Sequence, residues 1–277
     1  MTAASKVGII GVGAMGRMLI DAHYAFDPAE TFEVQAATRN ADVLAELEHR
    51  YPALALKDAP DLVDDCRMVF VCVPPLPYLD VVGALAPHLA ADKILVCISN
   101  GVALDDVGAL VAAPVVKVIP SVAHKIGRGV SLVTPGPRAG EAHLQEVETF
   151  LRPFALPVRV TSKDMRIAAN LTGCGPAILA HFMQTLVQVS AERADALDAA
   201  ALGCMVRETF SATARLIEEG LSPEEIVDEA ATGGGMTEMA IETLAPPIRA
   251  GVGAMIEATQ AREDALKAQA KGAPDAA

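Results

Sequence analysis

The chain has 277 residues, and its 22 Lys and Arg against 35 Asp and Glu give a formal net charge of −13. This acidic balance excludes a general binder of nucleic-acid backbones, which needs a basic surface, and 4% aromatic residues leave few side chains on which bases stack. The apolar fraction of 52% is ample for a packed core and excludes intrinsic disorder.

The cysteines and the apolar runs indicate the cellular compartment of the protein. Its five cysteines are odd in number and show no Cys-x-x-Cys spacing, so we predict no disulfide framework, no metal site and a reducing, cytoplasmic setting. The apolar run at the N-terminus is too short and too rich in glycine for a secretory signal. Residues 167–191 carry no formal charge, but their amides, glycines and His181 favour a water-soluble helix buried by its neighbours over a membrane span.

The predicted elements fall into two blocks along the chain. Short β-rich runs alternate with helical patterns over the first 160 residues, which is typical of a parallel sheet with crossover helices. From residue 164 onward long helical patterns replace the strands, so we predict an α/β domain over 1–160 and an all-α domain over 161–277. The predicted strands are 7–10, 32–37, 68–73, 94–98, 115–119, 130–133 and 158–160; the predicted helices are 42–51, 78–86, 105–111, 140–152, 177–192, 198–218, 223–230, 237–244 and 247–267.

A glycine motif stands between the first strand and the first helix. In a dinucleotide-binding fold the first glycine of such a motif makes the tight turn, the second lets the backbone approach the pyrophosphate, and the third permits close packing of helix on strand. The N–H groups at the start of the helix then face the phosphates. We therefore predict a Rossmann domain whose cofactor is bound by Gly11, Gly13, Ala14, Met15 and Gly16, the alternative being a glycine-rich turn without a ligand.

The second strand bears on the choice of cofactor. An NAD enzyme usually ends this strand with an Asp or Glu that binds the ribose 2′-hydroxyl, whereas this strand ends at Thr38, Arg39 and Asn40. An Arg fork binds a 2′-phosphate, and the two neighbouring side chains can hydrogen-bond it, so NADP(H) is predicted over NAD(H). The alternative is a solvated Arg at a helix start. The ends of two further strands predict that Val73, Pro74 and Asn100 line the nicotinamide half.

Three loops dense in glycine and hydroxyl groups follow, at 119–129, 171–177 and 232–237. Consecutive glycines before a helix offer backbone N–H groups to an anion, which makes the third loop a candidate seat for a substrate carboxylate. A flexible linker between helices is the alternative. His124 in the first loop titrates near neutral pH when unperturbed. It is a candidate general acid, with a solvent-facing or cofactor-flanking histidine as the favoured alternative.

Together the glycine fingerprint and these loops resemble the pyrroline-5-carboxylate reductase family over nearly the whole chain. The family segment MPNxPxxVGxG corresponds to 119–129, LSGSGPA to 171–177, and SPGGTT to 232–237. The resemblance implies reduction of a cyclic imine, 1-pyrroline-5-carboxylate, to L-proline with NAD(P)H. It also implies a Rossmann domain followed by a helical domain that interlocks two protomers, so that residues 167–191 form the core of a homodimer, with further assembly left open.

The resemblance also assigns roles to residues of the third loop. It implies that Thr237 hydrogen-bonds the ring nitrogen, that Thr232 stands near the carboxylate, and that Gly234 and Gly235 supply the backbone cradle of an anionic imino acid. Met236 and Glu229 complete the predicted substrate site.

Several positions depart from the family pattern. In the first two loops Ser121 replaces Asn, Ala123 replaces Pro, and Cys174 replaces Ser. In the third, Gly233 replaces Pro, Met236 precedes Thr237, and Glu229 stands where an amide is common; a family lysine after Val73 is replaced by proline. A carboxylate at Glu229 repels a substrate carboxylate unless it is paired or protonated. These changes bear on the substrate more than on the type of reaction.

Three alternatives therefore stay open beside proline synthesis. The chain is either a reductase of another cyclic or linear imine, a reductase of a small keto acid, or a dinucleotide-binding sensor without catalysis. Hydroxyacid dehydrogenases use a Lys and an Asn one helical turn apart, and the seven residues between Lys163 and Asn170 fit that pattern poorly. The oligomer beyond a dimer and the physiological direction are not determined by the sequence.

Overall fold

A computed structural model describes residues 5–27 and 31–272. The outermost residues of the two predicted domains, 1–4 and 273–277, lie outside the described part. An eight-stranded sheet has the order β3-β2-β1-β4-β5-β6-β7-β8, in which β6 and β7 are antiparallel and all other neighbours are parallel. Its strands are β1 Ser5–Ile10, β2 Phe32–Ala37, β3 Ala55–Leu56, β4 Met68–Val71, β5 Ile94–Cys97, β6 Val115–Ile119, β7 Val130–Pro135 and β8 Leu156–Arg159.

Helices connect the strands and then continue alone. They are α1 Ala14–Phe26, α2 Ala41–Arg50, α3 Ala59–Asp65, α4 Tyr78–Leu85, α5 Leu104–Leu110, α6 Glu141–Leu151, α7 Met165–Thr172, α8 Gly175–Ala191, α9 Ala199–Glu218, α10 Pro223–Ala230 and α11 Met236–Ala270. The β3-β2-β1-β4-β5-β6 order, with its reversal between β1 and β4, is that of a Rossmann fold. The predicted fold class is therefore confirmed, with one antiparallel pair that the prediction of a parallel sheet missed.

Both faces of the sheet are covered by apolar side chains, and strands such as β4 and β5 are apolar along their whole length, as is typical of strands covered on both faces. On one face the strands pack with Leu19 of α1 and Phe150 of α6. On the other face they pack with Leu62 of α3, Val82 of α4 and Val107 of α5. This two-sided burial fixes the strands, so that their carboxyl ends hold the loops described below in defined positions.

Residues up to Gly175 and those from Thr259 form one compact unit, and residues from Pro176 to Ala258 form a second. The sheet, α7 and the last turns of α11 belong to the first unit, because Met165 and Ala169 of α7 pack on Ile119 and Leu132 of the sheet. The boundary near residue 161 stays a prediction of the sequence.

Two sequence predictions about helices need correction. The helices at 237–244 and 247–267 are one helix, α11, which continues through Pro246 and Pro247 although each proline removes a backbone N–H donor. Residues 167–191 were predicted to form a single helix, but they form most of α7 and all of α8. In α8 only Gly175 is buried, and its apolar Leu179 and Phe182 are exposed within this chain. Within the described residues, no helix has both the length and the hydropathy to cross a membrane.

Candidate functional site

The three glycines of the fingerprint have the geometry that a dinucleotide requires. Gly11 has φ +88°, and a Cβ added there would lie 2.8 Å from Cγ1 of Val73. A Cβ on Gly16 would collide with the carbonyl oxygen of Gly11. Around Gly13, by contrast, a Cβ would meet no atom within 4 Å. Gly11 and Gly16 therefore serve the turn and the packing of α1 on β1, whereas Gly13 leaves open space, which fits a pyrophosphate against its backbone.

A cavity of about 600 Å³ opens at the carboxyl ends of β1, β2 and β4. Its volume lies within the usual range for small-molecule sites. Of the predicted cofactor residues, it is lined by Gly11, Gly13, Thr38, Arg39, Asn40, Val73 and Pro74.

Four predicted cofactor residues lie outside the walls of this cavity. Ala14, Met15 and Gly16 form the first turn of α1. Asn100 follows β5, and its Oδ1 is a buried atom without a hydrogen-bond partner in the described chain. An unpaired buried carbonyl at the end of a central strand is suited to binding a ligand amide.

The tip of β2 presents the cation Arg39 to this cavity. The Arg39 side chain is exposed, and the described residues provide it with no hydrogen bond or ion pair. The side chain of Asn40 caps α2: its Oδ1 accepts hydrogen bonds from the N–H groups of Asp42 and Val43 at 3.0 and 3.3 Å. Thr38 accepts a hydrogen bond from the Asn40 N–H at 3.4 Å. Arg39 is therefore the side chain most available to an anionic group.

Lys57 also lines the cavity, and the sequence analysis missed it. It follows β3, a two-residue strand too short to show an alternating pattern, and parallel pairing with β2 brings it to this edge. Its Nζ donates to Oδ2 of Asp65 at 2.6 Å. Hydrogen bonds from Lys57, Gln35 and Lys6 hold the pKa of Asp65 well below its usual range. Lys57 is thus a second cation at this site, already paired with a carboxylate.

Cys72 lines the same cavity, and all five cysteines are free thiols. Burial raises the pKa of the Cys72 thiol, and Cys97 raises it further. A neutral thiol is a poor nucleophile, so Cys72 serves as a small apolar side chain in the wall of this cavity. Among the residues that the structure describes, no group of three or more His, Cys, Asp or Glu could hold a metal ion.

In the second unit, the glycine loop joins α10 to α11. The Gly235 N–H donates to the carbonyl oxygen of Thr232 at 2.8 Å, and Gly234 has φ +77°. Thr237 is the second residue of α11 and is exposed, while Met236 before it is 89% exposed. Glu229, on the last turn of α10, is also exposed.

The loop holds a carboxylate that the sequence analysis did not single out. The Gly234 N–H donates to Oε2 of Glu238 at 2.5 Å. Glu238 is the third residue of α11, and a Glu at this position commonly reaches back to an N–H before its helix. That pattern was available in the sequence. One amide of the predicted cradle therefore already binds an anion of the chain itself.

His124 is neither solvent-facing nor available as a general acid. It is fully buried, in a short 3-10 helix at Val122–Ile126. Its Nε2 accepts a hydrogen bond from the Ser121 N–H at 3.0 Å and lies 2.8 Å from Oγ of Ser131. With Nε2 accepting, Nδ1 carries the proton and donates to the Arg128 carbonyl oxygen at 2.9 Å. The ring therefore closes the loop at 119–129 as a structural group.

The buried environment of His124 predicts how the free energy of unfolding depends on pH. Burial lowers the pKa of His124, so the folded protein favours the neutral ring. The unfolded chain takes up the proton first, and the free energy of unfolding therefore falls as the pH drops below about 6.5. Urea unfolding between pH 8 and 5 should show this fall, and His124→Gln should reduce its slope while also lowering stability at pH 8.

His23 is a second buried histidine whose pKa is lowered by burial, so the slope in His124→Gln should be reduced rather than abolished. The exposed His49→Gln is the matched control and should keep the slope of the unaltered protein. Equal slopes in all three proteins would contradict a neutral, structural His124.

The Lys163 and Asn170 pair does not form a dehydrogenase site in the first unit. Lys163 is exposed, whereas Asn170 is 2% exposed and donates from Nδ2 to Oγ1 of Thr259 at 2.8 Å. This contact ties α7 to the last turns of α11.

Comparison with known proteins gives two family matches along the chain. Residues 162–266 match a family model described as pyrroline-5-carboxylate reductase dimerisation, and residues 6–101 match one described as NADP oxidoreductase, coenzyme F420-dependent. ComE operon protein 4 of Bacillus subtilis (strain 168) is 26% identical over 241 residues, which cover 86% of this chain and 88% of that protein. Pyrroline-5-carboxylate reductase 3 of the same organism is 23% identical over 240 residues, with 86% and 88% covered.

Solved structures agree in fold. The crystal structure of a Plasmodium falciparum pyrroline carboxylate reductase with NADP bound has a TM-score of 0.80 and 19% identity, covering 95% of this chain and 98% of that one. A pyrroline-5-carboxylate reductase from Coxiella burnetii has a TM-score of 0.83 and 19% identity, covering 95% and 99%. The Rossmann sheet followed by a helical dimerisation domain is thus the architecture of these enzymes.

Proposed function

Since this chain belongs to the pyrroline-5-carboxylate reductase family and is an NAD(P)-dependent oxidoreductase, we propose that it reduces 1-pyrroline-5-carboxylate to L-proline. The observation that carries the proposal is the conjunction of the glycine fingerprint, open only at Gly13, with a glycine loop that opens α11 at Thr237. The type of reaction also fits the residue types, because hydride transfer is carried by the cofactor and needs no strong protein acid.

We propose NADP(H) as the preferred cofactor. Support comes from Arg39 at the tip of β2, which is exposed and has no ion pair among the described residues, and from Lys57, which follows the neighbouring β3. Residues 38–40 also contain no acid. The cofactor supplies the hydride when bound. Gly13 leaves room for the pyrophosphate, and Val73, Pro74 and Asn100 are proposed to hold the nicotinamide half.

On the substrate side, the loop at 232–237 is proposed to orient the imine. The Thr237 hydroxyl hydrogen-bonds the ring nitrogen, and Thr232, Gly234 and Gly235 hold the carboxylate. A protonated imine is already electrophilic, so catalysis depends on keeping its carbon about 3–3.5 Å from the hydride. His124 takes no part, since its ring nitrogens are occupied within the fold.

A second candidate substrate is favoured by Glu238. Its carboxylate occupies the Gly234 N–H, and Glu229 adds a further negative charge on α10. Like charges in one site repel, so these residues favour a cyclic imine without a carboxylate. The parent compound 1-pyrroline is such a substrate, and the name of the ComE operon relative specifies none.

The loss of NADPH absorbance tests both candidates in one assay. The purified protein is supplied with 1-pyrroline-5-carboxylate or with 1-pyrroline, each with NADPH and with NADH. Turnover of 1-pyrroline-5-carboxylate with a preference for NADPH supports proline synthesis. If the gene also restores growth without proline to a strain that lacks its own reductase, the protein carries out this reaction in the cell. A higher kcat/KM for 1-pyrroline supports the second candidate. Binding of NADPH without oxidation by either imine rejects both and leaves a keto-acid reductase or a sensor.

The assembly is proposed to be a homodimer formed through the second unit. There α8, α9 and α11 expose many large apolar side chains, including Ile178, Phe182, Met205 and Ile248, which a monomer would leave in water. Light scattering should give twice the chain mass of 28.8 kDa or a multiple of that dimer. A monomer at micromolar concentration would contradict the proposal. The free thiols support a cytoplasmic location, which cell fractionation tests.

A further inference from the structure

A second cavity in the first unit shares no lining residue with the dinucleotide cavity. It encloses about 320 Å³ and is bounded by β6, β7, the segment from Val102 to Asp105 and the end of α11. We call it the Lys117 cavity. Its charged lining residues are Lys117, Glu263, Lys267 and Asp105.

Lys117 is unusual because it is a buried cation to which the described residues offer no carboxylate partner. Its side chain lies in the middle of β6, and the residue is only 5% exposed. Nζ donates to the Val102 carbonyl oxygen at 3.0 Å. Among the described residues, no carboxylate oxygen lies within 4.0 Å of this nitrogen. An ammonium has three donors, and a buried charge without a partner is costly. The described residues therefore leave donors of this ammonium available to a further acceptor.

The carboxylates around Lys117 do not neutralise its charge. Oε1 of Glu263 accepts from Nζ of Lys267 at 2.6 Å, and Oε2 lies 3.5 Å from Nη1 of Arg166. That carboxylate is therefore already shared between two cations. Asp105 is exposed, where solvent and salt screen its charge. Burial lowers the pKa of Lys117, and the charge of Lys267 lowers it further, while Cys97 and Glu263 oppose this. An anion beside Nζ would reverse that shift.

We propose that the Lys117 cavity binds a small carboxylate anion whose oxygens pair with the Lys117 ammonium. A volume of about 320 Å³ lies at the low end of small-molecule sites and suits an organic acid of a few carbons. The proposal does not depend on the proposed reductase function, since no lining residue of this cavity is assigned to the cofactor or to the imine.

Calorimetric titration of the full chain with sodium acetate, at constant ionic strength kept with sodium chloride, tests the site. We expect saturable binding in the unaltered protein, a loss of at least about tenfold in affinity in Lys117→Met, and retention within a few-fold in Lys117→Arg. Lys163→Met removes an exposed lysine of the same unit and should bind acetate as the unaltered protein does.

Absence of saturable acetate binding, or equal affinity in Lys117→Met and Lys163→Met, would overturn the proposal. Inorganic phosphate titrated in the same way provides a further arm, and equal or tighter binding of phosphate would overturn the assignment to a carboxylate. If Lys117→Met fails to fold, NMR titration of the unaltered protein decides. Acetate should then shift the amide signals of Leu104 and Gly136 in the cavity wall, and shifts confined to other regions would refute the site.

Discussion

Replacing Thr237 by alanine is expected to lower kcat/KM for 1-pyrroline-5-carboxylate by about 10²-fold, because the loss of a single positioning contact typically has an effect of this size. The proposed hydroxyl contact to the ring nitrogen fixes the distance and angle between the imine carbon and the hydride. Thr237 is the second residue of α11 and is exposed, so the substitution removes no buried packing. Steady-state kinetics with NADPH measure the change.

Thr243→Ala is the matched control on the same helix. The Thr243 hydroxyl is exposed and donates to the Met239 carbonyl oxygen at 2.8 Å, so this variant makes the same chemical change without touching the loop. It should keep the activity of the unaltered protein, and Thr237→Ser should restore most of what Thr237→Ala loses. NADPH binding, followed by cofactor fluorescence, should be equal in all four proteins. Equal kinetics in Thr237→Ala and Thr243→Ala would remove Thr237 from the site.

The Rossmann half could be predicted from the sequence because its signals are local. Apolar runs such as 94–98 predict buried strands, and the spacing of Gly11, Gly13 and Gly16 predicts a strand before it and a helix after it. The features that could not be predicted from the sequence depend on contacts between distant residues. β3 has two residues and is defined by its pairing with β2, so Lys57 could not be placed beside Arg39 beforehand.

The helical half was harder for the same reason. The two prolines at 246 and 247 predict a break, whereas the flanking turns continue as one helix. The charge-free stretch at 167–191 predicts burial, but the described residues of a single chain leave most of α8 uncovered. His124 illustrates a further limit, because its partner Ser131 lies on β7 and its burial follows from the tertiary fold. Glu238, in contrast, obeys a local capping pattern and could have been identified from the sequence.

Replacing Arg39 by glutamine is expected to raise KM for NADPH about 10- to 100-fold while leaving KM for NADH nearly unchanged, since a charge-assisted hydrogen bond to a phosphate contributes this much. Only NADPH carries a 2′-phosphate, and the described residues give the Arg39 guanidinium no other partner. Kinetics with each cofactor at saturating imine measure the effect.

Arg50→Gln provides the control for the loss of a positive charge, at the other end of the helix that follows Arg39. Arg50 ends α2, and its Nη1 lies 3.3 Å from Oδ1 of Asp21, so it is paired within the chain and lies outside the cavity lining. The preference for NADPH should be retained in Arg50→Gln and lost in Arg39→Gln. If Arg39→Gln weakens both cofactors equally, Arg39 acts on the shared adenosine or on the fold, and Lys57 becomes the remaining cation for the 2′-phosphate. Lys57→Met would then be the variant that separates NADPH from NADH, at the cost of leaving Asp65 with Lys6 and Gln35 as its only partners among the described residues.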